Sequence, residues 1–399
     1  MNPNYLQNIP KDWQVKKLKY LFDFKKGRNP KETVLDNKNL PIYLAMDYLR
    51  GKPKTIFYVK DVENCLTVNE NDVLLLWDGS NAGEFIKAKN GILSSTMAVL
   101  RPKLAVDEKF TWFLLKNFEL ALKQQTVGMG IPHVNPNFLY NYGLLIPPLP
   151  TQKKIAQFLD KKTSEIDTLV TKKNKLIKLL QEEQKAFINE KLTDTEGTWK
   201  KKKLKYVVQK IGSGVTPKGG SEIYLNEGVM FLRSQNIYFE GLKLNEVVYI
   251  SDEINDSMQN SQVKKGDVLL NITGASLGRC YFWNTNQKAN VNQHVCIIRP
   301  DGSKLNTSFL YLLLRSFEGQ RFINFSQNGS NREGLNFHQI SNFCFTIPSL
   351  STQQKIVQEI ETHLEKTSSV IEKLKKEVAL LKEYRQSVIN EAVTGQVIV

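Results

Sequence analysis

The sequence predicts an α+β fold: two homologous α/β domains in a pseudo-twofold arrangement, separated by two long helices that form an antiparallel coiled coil. Three observations predict it. The chain is written twice, its motifs returning in the same order. Each half opens with short apolar, strand-like runs cut by Gly, Pro, Asn and Asp. Each half then closes with about forty residues free of both Gly and Pro, the mark of one long helix.

The repeat is read from an ordered series of matches. Trp13-Gln-Val-Lys-Lys-Leu18-Lys-Tyr20 returns as Trp199-Lys-Lys-Lys-Lys-Leu204-Lys-Tyr206, 186 positions later. Gly27, Pro30 and Lys31 return as Gly214, Pro217 and Lys218 at 187. Asp72-Val-Leu-Leu75 with Gly79 and Gly83 returns as Asp267-Val-Leu-Leu270 with Gly274 and Gly278 at 195. Arg101-Pro102 matches Arg299-Pro300 at 198, and Ile146-Pro147 with Thr151-Gln152 matches Ile347-Pro348 with Thr352-Gln353 at 201. The offset only grows, so the halves are colinear and differ by small insertions that belong in surface loops.

Four segments follow: a globular domain over 1–150, a spacer helix over 151–192, a second globular domain over 193–350, and a second helix with a short tail over 351–399. Within the globular segments Val73–Leu76, Met97–Leu100, Val229–Leu232, Val268–Ile272 and Val295–Ile298 read as strands. Phe110–Lys123 and Thr307–Phe317 read as short helices. In the second long helix Leu364, Thr367, Ile371, Leu374, Val378, Leu381, Arg385 and Val388 alternate spacings of three and four, a heptad seam. In the first, Ile166, Leu169, Leu176, Leu180 and Phe187 carry the stripe, interrupted by Lys173 and Glu183. A rod of ~40 residues is about 60 Å long and cannot bury such a stripe alone. Packing of helix on helix is one solution; docking of each stripe on its own globular domain is the other.

Composition narrows the class. No run approaches the roughly 20 apolar residues that span a bilayer. The opening Met1-Asn-Pro-Asn-Tyr5 lacks the charged-then-apolar pattern of a secretory signal. Cys65, Cys280, Cys296 and Cys344 stand far apart, so neither a disulfide framework nor a C-x-x-C zinc site is expected. A cytoplasmic chain with no membrane partner is expected. Lys and Arg number 55 against 40 Asp and Glu, a net charge of +15, which points to a polyanion such as nucleic acid. Residues 152–191 hold ten basic and six acidic side chains and 355–391 seven of each, which leaves +11 for the rest. The globular domains are therefore the expected polyanion binders.

Catalytic motifs are missing. Neither G-x-x-x-x-G-K-[ST] nor G-x-G-x-x-G occurs. Gly212-Ser-Gly214 reads as a loop opening on Thr216-Pro217. The four histidines, His133, His294, His338 and His363, are scattered, with no H-E-x-x-H. Asn135-Pro-Asn-Phe138 lacks the second proline of the N-P-P-[YF] motif of amino-methyltransferases and reads as a turn before the strand Gly143–Ile146. No catalytic residue, metal site or bound cofactor is expected in this chain.

Loop-borne polar side chains are abundant instead. The first half offers Arg28, Asn29, Lys31, Asp47, Tyr48, Asp78, Ser80, Asn81 and His133. The second offers Thr216, Lys218, Arg233, Ser234, Gln235, Asn236, Thr273, Ser276, Arg279, Asn331 and Arg332. Arg, Asn, Gln and Asp can read base edges; Lys, Ser and Thr serve phosphates. Singly, each Asn, Ser or Gly also fits an ordinary turn.

The second half carries Lys265-Gly-Asp-Val-Leu-Leu-Asn-Ile-Thr-Gly-Ala-Ser-Leu-Gly-Arg279, then Asn290-Val-Asn-Gln-His-Val295. Asn328-Gly-Ser-Asn-Arg-Glu-Gly-Leu-Asn336 and Ile347-Pro-Ser-Leu-Ser-Thr-Gln-Gln-Lys-Ile356 follow. This run resembles the DNA-specificity (S) subunit of Type I restriction-modification systems, and the duplicated plan extends the resemblance to the whole chain. The first half departs from it: Ser94-Ser95-Thr96 replaces Asn-Gln-His, and Trp77-Asp78-Gly79 replaces Ile-Thr-Gly. Its contacts are therefore not inferred from those of the second.

The resemblance implies two target-recognition domains, each reading one half of an asymmetric bipartite site in double-stranded DNA. It implies that the helices set the distance between them and recruit two methyltransferase (modification) subunits, which bind S-adenosylmethionine and methylate adenine. ATP-dependent restriction (translocase/endonuclease) subunits would join them. S-adenosylmethionine, ATP and Mg²⁺ would then sit on the partner subunits and no cofactor on this chain. Two other readings stand beside it: a DNA-modifying methyltransferase or nuclease with an unrecognised active site, and a scaffold with no DNA role.

Overall fold

The structure, a computed structural model, describes residues 10–35, 37–217, 219–326 and 334–397. It divides into two compact units, Met1–Asn174 with Lys376–Val399, and Lys175–Lys375. Both long helices are continuous, Leu149–Lys191 and Leu350–Val393. Each unit therefore holds one globular domain, part of the first helix and part of the second.

In the first unit the central sheet runs Phe22–Lys26, Met97–Pro102, Val73–Leu76, Phe85–Lys87, with every neighbour antiparallel. Its two inner strands, Met97–Pro102 and Val73–Leu76, are mostly apolar because both faces are covered. Leu75 and Leu100 turn to one side, against Phe110, Leu114 and Phe118 of the helix Glu108–Lys123. Leu74, Leu76 and Val99 turn to the other, against Leu44, Val68 and Leu93 of a small three-stranded sheet. The period-two alternation of strands puts successive residues into different cores. A two-stranded ribbon of Gln14–Lys17 and Gly143–Ile146 closes the unit.

The second unit repeats the central sheet of this plan strand for strand. Val208–Ser213, Val295–Pro300, Val268–Asn271 and Cys280–Phe282 form the antiparallel sheet in the same order. Val268, Leu270 and Ile298 face helices Thr307–Arg315 and Phe317–Phe325. Leu269, Val295 and Ile297 face the core beneath a second four-stranded sheet that includes Val229–Leu232 and Ala289–Val291. Lys200–Lys203 pairs with Cys344–Ile347 as the ribbon.

The repeated sequence motifs mark the joints of this plan. Asp72 of the first half meets Arg101 at 3.0 Å. Asp267, wholly buried, takes two hydrogen bonds of 2.7 Å from Arg299. The glutamine of each Thr-Gln pair is a clamp. Buried Gln152 donates to the Pro147 carbonyl at 2.9 Å and accepts from the Asp107 amide at 2.9 Å. Buried Gln353 donates to Pro348 and Lys304, both at 3.0 Å, and accepts from the Asn306 amide at 2.8 Å. Asp107 and Asn306 are themselves the N-caps of the globular helices. One side chain thus ties the start of a long helix to the cap of the helix beneath it.

The long helices pair in each unit. In the first, Asp167 meets Arg385 through two bonds of 2.9 and 3.2 Å, and Lys173 meets Glu377. In the second, Glu183 meets His363, Gln184 meets Thr367, and Lys191 meets Glu359. From Asp167–Arg385 to Lys173–Glu377, and from Gln184–Thr367 to Lys191–Glu359, one residue number rises as the other falls, so the helices are antiparallel within each unit. Ile371, Leu374, Val378 and Val388 are buried, and Leu364, Thr367, Leu381 and Arg385 half-buried, the heptad seam expected from the sequence. The two packing alternatives share the helices between them. The ends enter the globular cores, Ile155, Leu159, Val388 and Ile389 in the first unit and Ile188, Ile356 and Ile360 in the second. The remaining seam is helix on helix.

Three expectations are corrected. In the first long helix Leu169 and Leu176 are 46% and 44% exposed, off the seam. The seam runs instead through Thr163, Ile166, Val170, Lys173, Ile177, Leu180 and Gln184, because Lys173 and Gln184 find polar partners across it. Asn135–Phe138 is not a bare turn: Asn135 N-caps a helix over Pro136–Asn141. The helix expected over Thr307–Phe317 ends at Arg315, where buried Ser316 caps the next one through the Gly319 amide.

Replacing Gln353 with Ala would leave the Asn306 amide and the Pro348 carbonyl without this partner, at ~1–3 kcal/mol for each unpaired group. Urea unfolding of the full chain is expected to show a loss of about 3 kcal/mol in the second unit. Glu359→Gln, on the exposed helix surface, should stay within ~0.5 kcal/mol of the unchanged chain.

Candidate nucleic-acid interface

The same four segments meet in each unit, at the ends of the central strands. In the first unit they are 26–31, 77–81, 94–96 and 127–134. Asn29 Oδ1 accepts from the Ser95 amide at 3.3 Å and from the Tyr43 hydroxyl at 2.8 Å. The Trp77 and Asp78 amides donate to the Thr96 carbonyl at 2.8 and 3.2 Å. The Gly79 amide donates to Pro132 and the Val134 amide to Trp77, each at 2.9 Å. Gly79 and Gly83 turn this loop with φ of 104° and 91°, a region open to glycine.

The second unit reproduces the frame with other side chains. Thr216 bonds Gln293, and the Gly214 amide donates to the Asn292 carbonyl at 3.3 Å. The Ile272 amide donates to the His294 carbonyl at 3.0 Å, and Thr273 Oγ1 bonds His294 Nδ1 at 2.6 Å. The Leu335 amide donates to Ile272 at 2.9 Å, and Thr273 bridges Gly334 where Asp78 bridges His133 in the first unit. Backbone bonds hold the loops, so the side chains between them are interchangeable.

Asp78 is the electrostatic centre of the first cluster. Its carboxylate meets Lys26 Nζ at 2.8 Å and His133 Nδ1 at 2.6 Å. Burial alone would raise this carboxyl, but the hydrogen bonds from Lys26 and His133 and their charge hold it below the usual carboxylate range. Lys26 also lies 5.7 Å from the Trp77 ring centroid. Around this triad Arg28, Asn29, Lys31, Ser80 and Asn81 are exposed, and Arg28 and Lys31 have no partner among the described residues.

In the second cluster two arginines lie on aromatic rings. Arg279 sits 4.7 Å from the Tyr238 centroid, and Lys243 sits 4.0 Å from the same ring. Arg233 lies 5.5 Å from the Tyr224 centroid and reaches the Glu246 carbonyl at 3.4 Å. Its Nε is buried without a partner among the described residues. Ser234 gives its carbonyl to buried Asn271 at 2.8 Å, while Gln235 is exposed and Ser276 half-exposed.

Not every residue singled out from the sequence stands on this surface. Asn236 is 1% exposed; its side chain accepts from the Arg233 amide and donates to the Lys243 carbonyl, both at 2.9 Å. It shapes the loop from inside. Asp47 accepts from the Tyr48 and Lys54 amides, at 2.8 and 3.4 Å, as the cap of its own turn, and Tyr48 packs under Lys89. Lys218, Asn331 and Arg332 lie outside the described residues. Conversely, Lys26, Ser95, Gln293, His294, Tyr238 and Lys243 join the clusters without having been singled out. Gln293 and His294 carried a signal, since they fall in the segment aligned with Ser94-Ser95-Thr96.

Cys280 and Cys296 are wholly buried, and burial pushes both thiols up to about 12. They pack the core and are poor nucleophiles. No helix among the described residues is long and apolar enough to cross a membrane.

Comparison with known proteins places this architecture. Residues 10–179 and 196–380 each match the type I restriction modification DNA specificity domain. The chain is 29% identical to the type I restriction enzyme MjaVIII specificity subunit of Methanocaldococcus jannaschii, over 98% of this chain and 94% of that one. It is 23% identical to the EcoBI specificity subunit of Escherichia coli, over 99% and 88%. In fold it resembles the HsdS subunit from Thermoanaerobacter tengcongensis, with a TM-score of 0.54 at 17% identity over 98% and 99% of the two chains. It also resembles a chain from a structure of type I R-M complex assembly, with a TM-score of 0.77 at 16% identity over 98% and 100%. Two recognition domains on paired helices define a DNA-sequence-recognition subunit rather than an enzyme. The chain belongs to the type I restriction-modification DNA specificity family, with the family domain present twice.

Replacing Asp78 with Ala should cost about 1 kcal/mol at pH 7, since the two cations lose a partly screened partner. A carboxyl held low stabilises the fold above its unfolded value, and that contribution disappears as pH falls through the folded value. The difference between D78A and the unchanged chain in urea unfolding is therefore expected at pH 7 and should shrink progressively as pH falls below the usual carboxylate range.

Proposed function

We propose that each four-segment cluster reads one half of an asymmetric bipartite site in double-stranded DNA. The observation that carries this reading is the duplicated loop frame, whose backbone bonds are shared by both halves while its exposed side chains differ. Such a frame suits two domains that present different contacts to two different half-sites. Arg28 and Lys31 suit phosphates; Asn81, Gln293 and Arg279 suit base edges, the last held in place by Tyr238. The two spacer helices, common to both units, would set the unread gap between the half-sites.

Partners follow from the same reading. Apolar side chains remain exposed on the helices outside the seam, Leu169, Leu380 and Tyr384 in the first unit and Leu176, Leu179 and Val370 in the second. They suit docking of further helices, and two methyltransferase (modification) subunits are the proposed occupants, with restriction subunits joining them. S-adenosylmethionine, ATP and Mg²⁺ would be bound by those subunits, in the cytoplasm. The reading as an enzyme with its own active site has no such observation in its favour.

Two outcomes test the DNA reading. If about six phosphates are neutralised, log K for duplex DNA should fall with log salt at a slope near −5, from ~0.9 per phosphate. An affinity indifferent to salt would refute the electrostatic part. Once methylation mapping has given the target, Arg279→Ala should lose ~1–3 kcal/mol of discrimination in one half-site, with the other untouched. Equal loss in both halves would sink the assignment of one domain to one half-site.

A further inference from the structure

The segment Val127–His133 of the first cluster carries a tip, Gly128–Ile131, that takes no part in the bonds described above. It is a hairpin: the Val127 amide donates to the His133 carbonyl at 2.9 Å, and the His133 amide to Val127 at 2.7 Å. Its root is pinned by the His133–Asp78 bond of 2.6 Å and by the Gly79 amide on the Pro132 carbonyl. Its tip is apolar and bare. Met129 is fully exposed and Ile131 61% exposed.

The tip is also narrow. Gly128 and Gly130 flank Met129 with φ of 114° and 92°. A Cβ at Gly128 would stand 2.6 Å from the Ile131 carbonyl oxygen, so that turn excludes any side chain. Pro132 fixes the returning strand. The result is a single long thioether side chain carried on a blade of backbone, with Lys26, Arg28, Lys31 and His133 in the cluster at its base.

A partner for this surface must be negative where it meets the base and apolar where it meets the tip. Duplex DNA is both, with phosphates outside and stacked bases within, and Met, Ile and Pro are among the side chains that part base steps. We propose that the Val127–His133 hairpin is an apolar wedge whose Met129 enters the base stack at the first half-site. The proposal rests on the reading of this chain as a DNA-recognition subunit. The colinear segment of the second half, Gln327-Asn-Gly-Ser-Asn-Arg-Glu-Gly334, contains no comparable apolar side chain, so the wedge belongs to one half-site alone.

The test uses the full chain assembled with its methyltransferase subunits and a duplex carrying the mapped target. 2-Aminopurine is placed in turn at steps of each half-site other than the methylated base. The wedge predicts a severalfold rise in fluorescence at one step of one half-site. Met129→Ala should abolish that rise and weaken binding about tenfold, the order expected for a lost buried Met, with the salt slope unchanged. Met129→Leu should retain both. No fluorescence change at any step, or M129A binding as tightly as the unchanged chain, overturns the proposal. So does loss of subunit assembly in M129A with DNA affinity intact, which would make the tip a protein-docking element. Failure of the unchanged complex to prefer the target duplex would overturn the recognition reading itself, and is seen before any variant is made.

Discussion

The buried glutamines at the start of the long helices hold the architecture together. A helix of this length has no fixed direction unless its end is tied down. Gln152 and Gln353 do this with the carbonyl of the proline just before the helix, Pro147 or Pro348, on one side and the cap of the underlying globular helix on the other. Each amide group is shut away from water, so each of its bonds must be made or its desolvation is lost outright. That requirement fixes the angle at which a helix leaves its domain. The heptad seam then needs only to continue in that direction.

The same economy runs through the globular domains. Asp72–Arg101 and Asp267–Arg299 join the same two strands in each half, and the strand order is identical. At the strand ends the loops are held by backbone amides and carbonyls, as in the Asp78–Thr96 and Ile272–His294 bonds. A backbone bond does not depend on which side chain is present. Trp77-Asp78-Gly79 and Ile272-Thr273-Gly274 therefore occupy one frame while presenting an anion paired to two cations in one case and a neutral hydroxyl bonded to imidazole in the other.

This separation of frame from side chain explains what could be read in advance. The repeat follows from an ordered series of matches, and the strands Val73–Leu76 and Val229–Leu232 and the seam of the second helix from local periodicity; all are present as expected. The first helix was misread where periodicity is the wrong signal. Lys173 and Gln184 are polar residues on the seam, admitted there by Glu377 and Thr367, which lie some two hundred positions away along the chain. Leu169 and Leu176 are apolar residues off it. Asn236 misled for a related reason: an asparagine on a polar loop serves a base or its own backbone equally well, and only the position of the Lys243 carbonyl decides between them. The loop clusters were half legible, because offset alignment brings Gln293 and His294 opposite Ser95 and Thr96 but cannot show that Lys26 reaches Asp78.

Charge and specificity also separate. The +15 of the chain is concentrated outside the long helices, and a field of that sign attracts any duplex regardless of sequence. Such attraction speeds encounter but cannot choose a site. Choice requires side chains whose positions are fixed before DNA arrives, since ordering a long flexible arginine costs conformational entropy. On the proposed reading, Arg279 would meet that need in the second cluster, laid against Tyr238, whose ring also carries Lys243. Asp78, pinned between Lys26 and His133, would meet it in the first. Beside these restrained groups in the first cluster, Arg28 and Lys31 have no partner among the described residues, so fixed and unfixed charges stand side by side on one surface.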